Sequence, residues 1–243
     1  MKDKKFIIWG RNPIIEAIKS GKSLEKILVA HDSHPPKELV KLAEKKKIKI
    51  QRVPRKKVEE LAGTKKTQGV VALISPVQYA DENDLIENTI KEQGILLVLD
   101  HITDPQNVGN MIRTAEVLGV YGIVLPSERS SPINEVVVKA STGAVFHLPI
   151  TKVSSLKKFL DKFKKHGGWV VSVEKGGKPV HKINYPFPLA VVLGSEGKGV
   201  SKSVLDSSDL IATIPMQGKI TSFNVSSATA IALWEISKQK YNL

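Results

Sequence analysis

Five short apolar runs dominate the carboxyl-side part of this chain: ILLVLD (95–100), GIVLP (122–126), WVVSVE (169–174), LAVVLG (189–194) and LIATIP (210–215). They show little alternation of apolar and polar residues. Strands read this way when both faces of their sheet are covered by helices, which favours a parallel sheet over a half-solvated antiparallel one. Helical patterns lie between them, in NVGNMIRTAEVLG (107–119) and in the amphipathic SLKKFLDKFKKHG (155–167), and a last helix is expected from Val225 to Ser237. The sequence therefore predicts an α/β fold.

Residues 1–80 repeat the rhythm on a smaller scale. GRNPIIEAIKSG (10–21) reads as a turn and a short helix, ILVA (27–30) as a strand, and PKELVKLAEKKK (36–47) as an amphipathic helix. IKIQRV (48–53) and GVVALIS (69–75) read as strands with the helix KKVEELAG (56–63) between them. Residues 75–84, SPVQYADEND, carry a proline, a change of charge sign and no apolar period. The expected organisation is a small α/β domain over 1–76, a linker region over 77–90 and a larger α/β domain over 91–243.

Composition narrows the chemistry. The 243 residues contain no cysteine, which removes disulfides, thiolate metal sites and cysteine nucleophiles together. The six histidines are scattered, and the closest pair, His31 and His34, lies in a proline-bearing turn with only Asp32 as a further ligand, so no metal site is expected. No apolar stretch approaches the roughly 18–20 residues that span a bilayer, and the apolar run in MKDKKFIIWG is too short for a secretion signal. A cytoplasmic protein follows as the default.

The net charge of +13 is unevenly placed. Residues 1–80 hold 19 Lys and Arg against 8 Asp and Glu, whereas the remainder holds 18 against 16. A lysine-rich solvated face accounts for a single charge run. An entire segment at +11 points instead to a polyanion partner, with nucleic acid ahead of an anionic membrane because no long apolar helix face accompanies the lysines.

The familiar nucleotide and hydrolase signatures are absent. GSEGKGVS lacks the spacing of a phosphate-binding P-loop, and neither G-x-G-x-x-G after a strand nor G-x-S-x-G occurs. Three polar clusters at strand-to-helix junctions remain. Asn107 and Arg113 lie in LDHITDPQNVGNMIRTAEVLG, where Gly109 leaves room for a close neighbour. Glu196 stands between Gly194 and Gly197, and Ser222, Asn224 and Ser226 cluster in TSFNVSS. Taken singly, Asn107 and Asn224 read as helix caps, Glu196 as an acid near a helix N-terminus and Arg113 as a surface ion-pair partner. Together, at strand ends in one half of the chain, they read as a site.

NVGNMIRTAEVLG, VVLGSEGKGVS and IPMQGKITSFNVSSATAIALWE resemble, in order, the three motifs of the SpoU-type (TrmH-like) RNA ribose 2′-O-methyltransferases of the knotted SPOUT superfamily. The resemblance covers residues 95–238. GRNPIIEAI and TQGVVALI are similar to the substrate-binding domain of the branch acting on ribosomal RNA. It implies a SPOUT-type knotted catalytic domain preceded by a small α/β RNA-binding domain, with S-adenosylmethionine as methyl donor. It further implies a homodimer, each site being completed near the partner chain, and structured RNA as substrate: 23S ribosomal RNA with guanosine favoured, and transfer RNA as the alternative. A non-catalytic RNA-binding protein on the same fold is the alternative of another class. By motif position the catalytic set is Asn107, Arg113, Glu196, Ser222 and Asn224, and Gly194, Ile214, Met216 and Phe223 hold the cofactor. The chain departs from the family pattern at Phe223, where leucine is usual, and at Thr67, where histidine often precedes Gln68.

Arginine keeps its proton, with a pKa above about 12, so Arg113 is expected to grip a phosphate and stabilise a developing alkoxide rather than to act as a base.

Overall fold

A computed structural model describes residues 6–19 and 21–243, and they fall into two units. One runs to Gln78 and takes in Pro132–Asn134; the other holds Tyr79–Ser131 and Glu135–Leu243.

The first unit is a four-stranded mixed sheet in the order β1-β4-β2-β3, built from β1 (Ile7–Trp9), β2 (Leu24–Ala30), β3 (Ile50–Val53) and β4 (Val70–Ile74). Strands β2 and β3 run parallel, and β4 is antiparallel to both β1 and β2. Alternation along β2 sends Ile27 and Val29 to one face and Leu28 and Ala30 to the other. The first face packs on α1 (Arg11–Lys19) and α2 (Lys37–Lys45) through Ile14, Ile18, Leu39 and Ala43. The second packs on α3 (Arg55–Ala62) through Val58. Strand β1 is an addition to the elements read from the sequence: FIIW had been weighed only as a leader segment, yet Ile7–Trp9 completes one edge of the sheet.

The second unit opens with a correction. Residues 82–90, assigned to the linker region, belong to helix α4 (Glu82–Lys91). Asp81 caps it, its carboxylate accepting from the N–H groups of Asn83 at 2.7 Å and Asp84 at 3.4 Å. Leu85 and Ile86 are buried in the core of this unit, beyond the end of the window in which no apolar period was visible.

Six strands form its sheet: β5 (Ile95–Asp100), β6 (Gly122–Pro126), β7 (Ile150–Val153), β8 (Trp169–Pro179), β9 (Leu189–Gly194) and β10 (Leu210–Thr213), in the order β10-β8-β9-β5-β6-β7. Every neighbouring pair is parallel. One face, including Val98, Val124, Val170 and Val192, packs against α4 and against Phe159, Leu160 and Phe163 of α7 (Leu156–Lys165). Val204 of the short α8 (Lys202–Leu205) joins the same core. The other face is covered from α5 (Pro105–Val117) and α9 (Val225–Tyr241), which pack on each other, with α6 (Glu135–Ala140) packed on α5. Gly109 lets that last contact form: a Cβ there would sit 2.4 Å from Ala140 Cβ and 2.9 Å from Val137 O. Strand β7 and helix α8 were not read from the sequence. Among the described residues no helix is long and apolar enough to cross a membrane.

If α4 is held by its cap, Asp81→Ala should lower the stability of the protein by about 1 kcal/mol. Urea unfolding would show this as a lower midpoint with an unchanged slope.

Candidate active site

The carboxyl end of β9 and the middle of β8, at Val173–Lys175, open into a cavity of about 550 Å³. Its walls come from the strand ends, from the turn after β9 and from the segment between β10 and α9. A ligand crevice at the carboxyl edge of a parallel sheet is expected, because strand ends and the loops that follow them present main-chain and polar groups there. Gly194, Ile214, Met216 and Phe223, the four residues assigned to a cofactor, all line this cavity, as do Glu196 and Ser222. Residues 214–223 lie in no helix or strand, so their N–H and C=O groups are not taken up by helix or ladder bonds.

Beside the cavity three element ends converge on one carboxylate. Glu196 Oε1 accepts from Asn224 Nδ2 at 2.8 Å, from the Val225 N–H at 3.3 Å and, more weakly, from Asn107 Nδ2 at 3.5 Å. Asn224 Nδ2 also donates to Asn107 Oδ1 at 3.1 Å. The start of α5, the turn after β9 and the start of α9 are therefore tied together. The carboxylate acquires this position for an electrostatic reason, since Val225 is the first residue of α9 and helix N-termini attract negative charge.

The capping readings divide. Asn224 does cap α9, its Oδ1 accepting from the Ser226 N–H at 2.9 Å, while its amide nitrogen makes the links to Glu196 and Asn107. Asn107 is not the cap of α5. Asp104 is, accepting from the N–H groups of Gln106 and Asn107, which frees the Asn107 side chain to face Glu196. Glu196 lies near a helix start as its charge suggested, but the helix is α9 rather than the one that follows it in sequence.

Arg113 is not brought into this cluster. It is exposed on α5, does not line the cavity, and its guanidinium meets no hydrogen-bond or ion-pair partner among the described residues. The ion-pair reading of this residue therefore finds no counterpart among the described residues. Ser222 lines the cavity wall without joining the Glu196 network. Among the described residues no three histidine, aspartate or glutamate side chains are grouped to hold a metal ion.

Several cavity residues were missed by the sequence reading. Glu174 and Lys175 enter from the middle of β8, and Thr213 from β10. A strand-terminal acid in WVVSVE was the available signal, and a lone acid at a strand end is too common to single out.

The model described as "SpoU rRNA Methylase family" matches residues 94–234. The chain belongs to the SpoU rRNA methylase family. A second model, described as "RNA 2′-O ribose methyltransferase substrate binding", matches residues 7–80. Among similar proteins, YacO of Bacillus subtilis (strain 168), assigned by name to the TrmH family of tRNA/rRNA methyltransferases, is 37% identical over 238 residues, covering 96% of this chain and 95% of that one. A TrmH-family counterpart in Staphylococcus aureus (strain COL) is 36% identical over 242 residues, covering 98% of this chain and 97% of its own. The SpoU methyltransferase AviRb from Streptomyces viridochromogenes, solved in complex with the cofactor AdoMet, shares the fold with a TM-score of 0.63 at 24% identity, covering 98% of this chain and 91% of its own. An AdoMet-bound rRNA methyltransferase from Sinorhizobium meliloti does so with a TM-score of 0.61 at 24% identity, covering 97% and 87%.

In this SpoU-family chain the two duties of Asn224 can be separated. Asn224→Ala removes the cap and should cost about 1 kcal/mol, whereas Asn224→Ser keeps a capping oxygen and should stay within about 0.5 kcal/mol of wild type. Thermal unfolding of the two variants side by side checks this.

Proposed function

We propose that this chain transfers a methyl group from S-adenosylmethionine to a ribose 2′-hydroxyl of structured RNA. The observation that carries the reading is the Asn107–Glu196–Asn224 network beside a cavity lined by Gly194, Ile214, Met216 and Phe223. A cavity of about 550 Å³ suits a ligand of this size, and its mixture of apolar side chains and uncommitted main chain suits an adenosine with a polar tail. Ile214, Met216 and Phe223 would pack on the donor, with Gly194 allowing close approach of main chain. When bound, S-adenosylmethionine supplies a methyl group activated by its sulfonium.

The protein's own contribution is positioning and charge. Asn107 and Asn224 hold Glu196 at one edge of the cavity, and Ser222 adds a hydroxyl to its wall. Fixed near-attack geometry of this kind can remove several kcal/mol from a barrier. A ribose hydroxyl must lose its proton as the methyl arrives. Arg113 cannot take it; its fork instead grips the neighbouring phosphate and offsets the charge growing on oxygen, while a phosphate oxygen or water accepts the proton.

Since Arg113 does not line the cavity of its own chain, the reading includes a homodimer in which it serves the second copy's site. Val117, Phe146 and Trp234 support that arrangement. They are 72%, 57% and 48% exposed, and they lie on α5, on the turn at Ala144–Phe146 and on α9, elements that pack together on one face of the sheet. Apolar side chains grouped so are surface that a second copy would cover.

The match of residues 7–80 to a substrate-binding model, with the +11 excess over residues 1–80, supports RNA gripped through its phosphates. Ribosomal RNA, a guanosine of 23S RNA in the finer form, is preferred over transfer RNA because that amino-terminal unit resembles the ribosomal branch.

Incubating the protein with labelled S-adenosylmethionine and purified 23S RNA or transfer RNA tests this directly. Label should enter 23S RNA at an alkali-resistant ribose, and Asn224→Ala should reduce turnover at least tenfold at saturating RNA. Label only in transfer RNA would establish the second substrate, and label in neither would favour a non-catalytic binding protein.

The shared site has its own test. Arg113→Ala and Asn224→Ala proteins should each be nearly inactive alone. Mixed and allowed to exchange subunits, they should recover about a quarter of wild-type activity, since half the dimers would hold one intact site of two. No recovery, with exchange demonstrated, means that Arg113 serves its own chain.

A further inference from the structure

The turn after β9 is held by acceptors from both neighbouring strands. Strand β9 lies between β8 and β5. In the register of the sheet Asp100 is paired with Gly194, and Val173 with Leu193, so that Glu174 falls beside Gly194 from the other side. A row Glu174–Gly194–Asp100 therefore crosses three adjacent strands, at the carboxyl ends of β9 and β5 and at the middle of β8. Val170, Val192 and Val98, each an even number of residues earlier on its strand, belong to the core under α7, so the whole row faces that side.

The chain leaves β9 through Ser195, turns at Gly197 and Gly199, and returns over its own strand end. The Gly199 N–H donates to Ser195 O at 2.9 Å. A Cβ on Gly194 would lie 2.0 Å from Gly199 C and 2.1 Å from Val200 N, so the returning peptide rests directly on the Gly194 Cα. There its amides meet the two flanking carboxylates. Val200 N–H donates to Glu174 Oε2 at 2.9 Å, and Ser201 N–H donates to Asp100 Oδ2 at 2.7 Å. Glu174 Oε1 accepts in addition from the Lys175 N–H at 2.9 Å, and Asp100 Oδ1 pairs with His101 Nδ1.

We propose that Glu174, assisted by Asp100, is a positioning residue for methyl transfer: it latches the returning 199–201 main chain over Gly194 and so holds both the cavity wall and Glu196 in working geometry. Resting on the cofactor reading above, the latch deepens it by assigning a role to two carboxylates outside the Asn107–Glu196–Asn224 network.

The geometry favours a latch over incidental contact. Two consecutive amides of one loop are taken by carboxylates from the two strands that flank it. Asp100 is only 1% exposed, so its charge is desolvated and its bonds to N–H groups are charge-assisted. Gly199 is shaped to the same end, having a φ of 68° and a Cβ position 2.1 Å from Glu174 Oε2. The loop thus lacks a side chain at the point where the carboxylate must pass. Three residues separate Glu196 from the latched Val200 amide, within a turn closed by the Ser195–Gly199 bridge. Release of residue 200 would therefore loosen both the cavity wall and the acid.

The test uses the full-length protein with Glu174→Ala and Glu174→Gln. Amide exchange followed on protein without donor should show Val200 and its turn exchanging at least tenfold faster in Glu174→Ala, with interior β9 amides unchanged. Calorimetry should show about tenfold weaker S-adenosylmethionine binding. Turnover at saturating donor should fall as well, because a loosened turn no longer fixes the direction of Glu196. Glu174→Gln, which retains a carbonyl acceptor, should recover part of these effects, and it carries the test if the alanine variant does not fold. Unchanged exchange and unchanged affinity would overturn the latch, as would acceleration spread evenly through the sheet. If wild-type protein binds no S-adenosylmethionine, the functional reading falls instead, and the exchange result alone decides the latch.

Discussion

A peptide lying directly on a glycine Cα is the constraint around which the catalytic unit is arranged. The 199–200 peptide reaches Gly194 so closely that a single methyl group would displace it. Val200 can then enter the core beneath α7, and the short helix α8 begins immediately after it. The turn left on the outer side of this crossing, Ser195–Gly199, becomes one wall of the cavity. Packing and site are thus consequences of one close approach: the same loop that anchors a core valine also carries Glu196.

Helix starts do the rest of the assembly. Asp104 caps α5 and Asn224 caps α9, and the two helices pack against each other on the face of the sheet opposite α7. Both N-termini therefore come to the same edge, where their partial positive charge favours an acid between them. Glu196 fills that position. A cap and a site residue are not competing descriptions of Asn224, because its oxygen serves the helix and its nitrogen serves the carboxylate. The ambiguity found for this residue in sequence is a real doubleness in the molecule. For Asn107 the ambiguity was false: with Asp104 three residues earlier already accepting from the helix start, the asparagine amide was released for another use.

What could be read without coordinates follows the strength of local signals. Unalternating strands such as ILLVLD and LAVVLG announced a sheet covered on both faces, and β5 and β9 occupy its centre. The short edge strand β1 and the strand ITKV of β7 carry too few apolar residues to stand out. Helix α4 was hidden because its first turn is wholly polar, so that its inward residues Leu85, Ile86 and Ile90 begin only beyond residue 84. The cavity residues that came from motifs were found together. Glu174 was not, since its role depends on register with Gly194 across two strands, and register is a property of the folded sheet. The exposure of Arg113 agrees with its surface reading, but its lack of a partner among the described residues was invisible, because a helical period gives the face of a residue and not what lies opposite that face.

The placement of charge fits the proposed chemistry better than a stability role would. Ion pairs elsewhere in this unit, Lys157 with Asp161 and Lys164 with Asp209, satisfy their cations locally. Arg113, exposed on a helix that also carries Asn107, meets no acid among the described residues, as is also true of Arg129, Lys139 and Lys158. An arginine kept for stability would gain little in that position, since exposed charge contributes at most a fraction of a kcal/mol even when paired. A cation intended for a phosphate must instead remain unneutralised until its substrate arrives. Glu196 shows the complementary design: one oxygen is saturated by three donors that fix its direction, and the other is not engaged by them. On the proposed reading, Glu196 is held in place before the substrate arrives, while the charge of Arg113 is kept for the transition state.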